Sequence, residues 1–274
     1  MNLTINSKVE LNNGVKMPIL GLGTWLLSGS EVSNSIKWAY DAGYRSIDTA
    51  TIYGNEKQIG ETLNELDIPR EELFITTKVW NSDQGYKSTF KAFEKSLKKL
   101  DLDYVDLYLI HWPVSKRLET WKALGEIYET GQTKAIGVSN FTIRHLKELL
   151  NKSDYIPTVN QYEFHPFLYN KRLLDFCQQQ DIRLEAYSPL ARGRKFDNTI
   201  LKQIAEEHNK TPAQIMLRWG LEQMIIEIPK STSKSHIEDN ANIFDFELTD
   251  KDMEQLNNLN EDFSVVDEDP YSYE

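Results

Sequence analysis

The sequence has one cysteine, Cys177, so no disulfide can form within the chain. Its setting, "LLDFCQQQ", reads as a helix carrying a buried, inert thiol rather than a nucleophile. No apolar run approaches the ~20 residues needed to span a bilayer, and the N-terminal "MNLTINSKVELNNG" lacks the apolar core of a secretion signal. Positive charge is scarce: 31 Lys and Arg against 42 Asp and Glu leave a net charge of -11. That balance argues against a nucleic-acid partner, because neutralising phosphates needs a basic face. These absences predict a cytoplasmic protein of a reducing compartment with no membrane partner. The five histidines, at 111, 145, 165, 208 and 236, have no metal-ligand spacing, so no metal is expected. His145 and His208 sit in polar helical stretches and read as solvated, and His165 in "EFHPF" reads as a loop anchor.

What is present is a repeating alternation. "KVELNNGVKM" gives two short extended runs around Asn-Asn-Gly, which predicts a hairpin over 8–17. Eight apolar runs follow: "PILGLGTW", "YRSIDTA", "LFITTKVW", "YVDLYLIHW", "TKAIGVSNF", "IPTVNQYEF", "IRLEAYSPL" and "MIIEIPKS". Amphipathic stretches such as "STFKAFEKSLKKLDL", "LETWKALGEIYETG" and "TIRHLKELLNK" lie between them. Strands recurring about every 30 residues match the length of a βαβ unit and imply a parallel sheet. A closed eight-fold barrel and an open doubly wound sheet both fit that pattern, and eight strands within ~250 residues favour the barrel. With no break in composition, the expectation is one α/β domain over 1–274, a (β/α)8 TIM barrel with an N-terminal β-hairpin. The acidic tail at 263–274, "FSVVDEDPYSYE", reads equally as a cover over the barrel mouth or as a disordered end.

In such a barrel the chemistry sits at the C-terminal ends of the strands. The second run ends at Asp48, the third reaches Lys78 and the fourth ends at His111. The fifth gives Ser139 and Asn140, the sixth Asn160 and Gln161, the seventh Tyr187 and Ser188, and the eighth Lys230 and Ser231. Each alone reads as a cap or turn residue, but a ring of them is costly to crowd together without a purpose. With Tyr53 after Asp48, the ring contains a proton donor and its tuning apparatus. A lysine ammonium ~4 Å from a tyrosine stabilises phenolate by roughly 4 kcal/mol at an effective dielectric of ~20. Desolvation opposes that effect, so a modest lowering of the Tyr53 pKa is expected. Asp48 would hold Lys78 charged, and His111 would orient a substrate oxygen.

These segments, taken in order from "GLGTW" through "DTATIYGNE", "TTKVW", "LYLIHWP", "IGVSNF", "NQYEFHP" and "YSPLARG" to "IPKS", closely resemble the aldo-keto reductase family, in its short-loop bacterial form. The resemblance implies an NADPH-dependent barrel reducing aldehydes and ketones, with catalytic Asp48, Tyr53, Lys78 and His111. It implies that Tyr187 stacks on the nicotinamide and that Ser139, Asn140 and Gln161 hold its carboxamide. Ser188, Leu190 and Gly193 fall beside the pyrophosphate; Lys230, Ser231 and Thr232 fall near the adenosine phosphate; Asp239 and Asn240 fall at the adenine. His236 stands where the family often has an arginine, so NADH is expected as a weaker alternative to NADPH.

Trp25, Trp80 and Trp112 lie just beyond strands one, three and four and are expected to wall a substrate pocket beside His111. Short loops after "HWP" and "SPLARG" suggest an open site for small carbonyls, including glyoxal-type dicarbonyls, in a monomer. Two other classes remain: a nucleotide-binding barrel acting as a redox sensor without turnover, and a barrel hydrolase or lyase. "GLGTWL" lacks the third glycine of the dinucleotide fingerprint. "YGNEK" fits a Tyr-x-x-x-Lys dehydrogenase motif built on Lys57, whose glycine-rich companion is missing.

Overall fold

A computed structural model describes residues 3–274. A hairpin of β1 (Lys8–Glu10) and β2 (Lys16–Pro18) opens the chain, paired antiparallel with Val9 opposite Met17. The strands β3 (Leu22–Gly23), β4 (Ser46–Asp48), β5 (Phe74–Val79), β6 (Leu107–Ile110), β7 (Ile136–Ser139), β8 (Val159–Glu163), β9 (Arg183–Tyr187) and β10 (Ile226–Glu227) then run parallel in chain order. A parallel bridge between Leu20 and Glu227 closes the ring, and the Gly21 N–H donates to the Glu227 carbonyl at 2.8 Å. The closed barrel is therefore the architecture, and the open sheet is excluded.

Around the strands lie α1 (Ser30–Asp41), α2 (Glu56–Glu65), α3 (Tyr86–Leu100), α4 (Arg117–Glu129), α5 (Ile143–Lys152) and α6 (Lys171–Gln179). The chain continues through α7 (Thr199–Glu207), α8 (Pro212–Glu222), α9 (Lys234–Ala241) and α10 (Asp250–Asn257). Strands covered by helices outside and by side chains inside are buried on both faces, which is why they read as unbroken apolar runs. β5, for example, is buried at all six positions. Local signals set the helix starts: Thr211 caps α8 ahead of Pro212, and Thr249 caps α10, each in a reciprocal capping box.

The hairpin plugs the end of the barrel where the strands begin. Val9, Leu11 and Met17 are buried there. Asn12 donates to the Pro157 and Asp181 carbonyls and Asn13 to that of Lys134, all just ahead of barrel strands. With that end sealed, the opposite end is left for the site.

The C-terminal tail folds over this open end. Val265 is buried, its N–H and the Ser264 hydroxyl both donating to the Glu163 carboxylate. Further on, the Thr142 hydroxyl donates to Glu274, and Tyr273 packs against Trp112 with ring centroids 6.0 Å apart. His145, expected to be solvated, is buried instead. It completes the capping box of α5 and meets the Tyr273 carbonyl at 3.2 Å through Nε2. Among the described residues no helix is long and apolar enough to cross a membrane.

Candidate active site

The strand ends converge on a cleft of about 600 Å³. Asp48 is the last residue of β4, and Lys78 lies in register opposite Leu109 near the end of β5. Tyr53 comes from a 3-10 turn, Thr51–Tyr53, that folds back at once because Gly54 closes it with φ of 73°, a left-handed conformation suited to glycine. The Thr51 hydroxyl ties this turn to the Lys78 carbonyl at 2.9 Å, so the two residues share a mount. His111 follows β6 directly.

At the floor, Lys78 Nζ donates to Asp48 Oδ1 at 2.6 Å, to the Thr49 carbonyl at 2.9 Å and to the Tyr53 hydroxyl at 3.5 Å. Lys78 is fully buried and lies behind the cleft, whereas Asp48, Tyr53 and His111 line it. Burial would lower the Lys78 pKa, but Asp48 and then Tyr53 outweigh it and raise it, so the ammonium stays charged. For Tyr53 the balance differs from the expected lowering: burial comes first and raises the phenol pKa, and Lys78 offsets it only in part. The phenol is thus firmly protonated. His111 is held well below the usual histidine range, first by burial and then by Lys78, and is a neutral imidazole. It makes edge-on contacts with Trp80 at 5.0 Å and Tyr53 at 5.7 Å. A protonated phenol against an ammonium, beside a neutral imidazole, can donate a proton to an oxygen in the cleft.

One wall is a polar relay. The Tyr187 hydroxyl donates to Asn140 Oδ1 at 2.8 Å, and Asn140 Nδ2 donates to the His111 carbonyl and Ser139 Oγ. Ser139 is buried beneath Asn140 and does not line the cleft. Gln161 does, and its Nε2 donates to both Asp48 Oδ2 and Glu185 Oε2. Ser188, Leu190, Gly193 and Lys230 border the cleft farther out. Ser231, Thr232, His236, Asp239 and Asn240 lie beyond its lining, Ser231 and Asn240 buried and the other three exposed around α9. Lys57, the lysine of the alternative motif, is exposed and pairs with Glu61.

All three tryptophans line the cleft. Trp112 is buried, Trp80 half-buried and Trp25 39% exposed, with the Arg192 guanidinium 4.4 Å from the Trp25 ring centre. Leu26, Ile52, Phe196, Val266 and Glu268 complete the mouth. Sequence reasoning missed these, as it missed Arg192 and Glu185. Arg192 could have been found in "SPLARG", where Ser188, Ala191, Arg192 and Gly193 all take positive φ. His165 meets Glu163 at 3.0 Å and fixes the loop after β8.

Glu185 is fully buried, its Oε1 without a partner among the described residues. Burial first, and then Asp48, push its carboxyl up to about 8, against a usual 4.5. An acid whose folded pKa exceeds its unfolded one holds a proton the unfolded chain has lost. Stability therefore falls as pH rises from the unfolded value to about 8 and is level above it. Urea unfolding at pH 5 and pH 8.5 should show wild type losing roughly 4 kcal/mol relative to Glu185→Gln between the two. Parallel pH dependences would disprove this charge state.

The aldo/keto reductase family model matches residues 19–261. The chain is 53% identical over 267 residues to a glyoxal reductase of Bacillus subtilis, covering 97% of each. It is 43% identical over 258 residues to a methylglyoxal reductase of Escherichia coli, covering 92% of this chain and 93% of the other. A Bombyx mori aldo-keto reductase crystallised with NADP superposes with a TM-score of 0.90 at 36% identity, covering 97% and 96% of the two chains. The chain belongs to the aldo/keto reductase family.

Proposed function

We propose that the protein reduces small aldehydes and ketones, glyoxal-type dicarbonyls among them, to alcohols at the expense of NADPH, with Tyr53 as general acid. The observation that carries this reading is the floor of the cleft, where a protonated phenol stands 3.5 Å from a buried ammonium that Asp48 holds in place. The relatives named for glyoxal and methylglyoxal support the substrate class.

The residues present fit a nicotinamide dinucleotide. The Tyr187 ring, steadied by Asn140, offers a flat face, and Gln161 has an amide oxygen with no hydrogen bond among the described residues. The exposed Lys230, Thr232 and Lys234 surround the start of α9, where Ser233 caps the His236 N–H and the N–H groups of the first two positions suit an adenosine phosphate, and Asp239 and Asn240 follow on the same helix for the adenine. Bound there, the reduced nicotinamide supplies the hydride. The chain's own residues do the rest: His111 donates to the carbonyl oxygen and orients it, Tyr53 gives that oxygen its proton, and Lys78 stabilises the phenolate left behind. Trp25, Trp80 and Trp112 exclude water and hold small apolar substituents. The cytoplasm, a reducing setting, suits the single cysteine, a buried thiol pushed up to about 12 by burial.

Oxidation of NADPH by methylglyoxal, a benzaldehyde, an aldose and a simple ketone, each repeated with NADH, tests the assignment. Turnover favouring NADPH supports it, and nucleotide binding without turnover of any carbonyl would favour a sensor. His236 is exposed on the first turn of α9 and lacks arginine's permanent charge and bidentate fork. His236→Arg is expected to tighten NADPH about tenfold while leaving NADH nearly unchanged, as a new charged hydrogen bond would. Equal tightening of both, read by fluorescence titration, would remove His236 from the phosphate site.

A further inference from the structure

Gln161 and Glu185 are partners in the parallel register of β8 and β9, and both side chains turn into the barrel. A primary amide has two N–H groups and one oxygen, which leave it in different directions. Both Gln161 N–H groups are taken inside the protein, by Glu185 Oε2 at 2.7 Å and Asp48 Oδ2 at 2.8 Å. Turned over, the amide would set its oxygen against the Asp48 carboxylate that Lys78 holds. Oε1 is thereby left for the cleft that Gln161 lines.

One acceptor would leave the amide free to pivot about a single contact, whereas two fix its plane. Glu185 is costly in this position. It is a fully buried carboxyl with one oxygen unpartnered among the described residues, where an apolar side chain would fill the barrel without that penalty.

We infer that Glu185 is a positioning residue that locks the Gln161 amide with its oxygen toward the cleft, so that the site selects a cofactor whose ring substituent donates a hydrogen bond. The inference rests on the nicotinamide reading above, in which the donor is the carboxamide –NH2. An oxygen held in one plane would accept from that –NH2 and so limit the rotation of the ring. A methyl ketone in the same place offers no donor.

The test uses wild type, Glu185→Leu and Glu185→Gln, each titrated by tryptophan quenching with NADPH and with its 3-acetylpyridine analogue, in which methyl replaces the amide –NH2. Wild type is expected to bind NADPH about tenfold more tightly than the analogue, the scale of one hydrogen bond to a buried group. Glu185→Gln keeps an acceptor at the same place and is expected to keep that ratio. Glu185→Leu is expected to lower it at least threefold and to reduce kcat more than it raises KM for the carbonyl. Glu185→Ala carries the same expectation if the leucine variant does not fold. Full discrimination in Glu185→Leu or Glu185→Ala would overturn the role of Glu185 alone, as would a wild type that binds both dinucleotides equally. A wild type that binds neither would overturn the cofactor reading, and this inference with it.

Discussion

Replacing Tyr53 with phenylalanine is expected to lower kcat by about 100-fold or more, the usual scale for a lost general acid, with NADPH affinity nearly unchanged. The expectation follows from the surroundings of the hydroxyl. Its protein partner is Lys78 Nζ at 3.5 Å, and Lys78 keeps Asp48 and the Thr49 carbonyl when the hydroxyl goes, so the floor of the cleft stays assembled. What disappears is the proton and the place for the charge left behind. At an effective dielectric of ~20 an ammonium at this distance stabilises the forming phenolate by roughly 4 to 5 kcal/mol. That stabilisation grows as the proton leaves, so it lowers the barrier rather than the ground state. Single-turnover reduction of methylglyoxal, paired with a fluorescence titration of NADPH, separates the two effects. Unchanged turnover in the variant would remove Tyr53 as the acid, and a large loss of NADPH binding would make it a cofactor contact instead.

Much of this site was legible because a barrel strand has little room for polar residues. Asp48, Lys78 and His111 stand out as charged or titratable groups ending apolar runs, and the barrel brings strand ends together. Glu185 was not legible by that rule. It lies inside "RLEAY", where an acid between apolar neighbours reads as the solvent side of an alternating strand, yet in this closed parallel sheet both faces are buried. His145 was misread for a related reason: its helix is polar, but Thr142 three residues earlier marks it as the N3 partner of a capping box, which ties it to the start of the helix. The docking of the tail depends on anchors more than 100 residues away, Thr142 and Glu163, and no local pattern in "FSVVDEDPYSYE" points to them. The direction of the Tyr53 shift failed for lack of a quantity: the pull of Lys78 follows from Coulomb's law, but the extent of burial that outweighs it appears only in the packed structure.

Lys78→Met is expected to be the most damaging single change, because it removes one half of a buried pair. Asp48 and Lys78 are both buried and meet at 2.6 Å, so the substitution strands a carboxylate in the barrel, at a cost of about 3 to 5 kcal/mol. Turnover should fall by at least about 100-fold, since the phenolate loses its ammonium. Loss of folding and loss of chemistry are separable by adding Asp48→Asn. The double variant no longer buries an unpaired charge and should regain most of the stability in urea unfolding, while turnover stays low. The pH profile gives a second sign. Burial first, and then Lys78, hold the His111 pKa down, so removing Lys78 should let that pKa rise while burial still keeps it below the ordinary range. Residual activity should then change on the acid side as His111 takes up a proton, in a range where wild type is level. If the double variant recovered turnover together with stability, Lys78 would be a structural cation, and the proton given by Tyr53 would need no charged neighbour to leave.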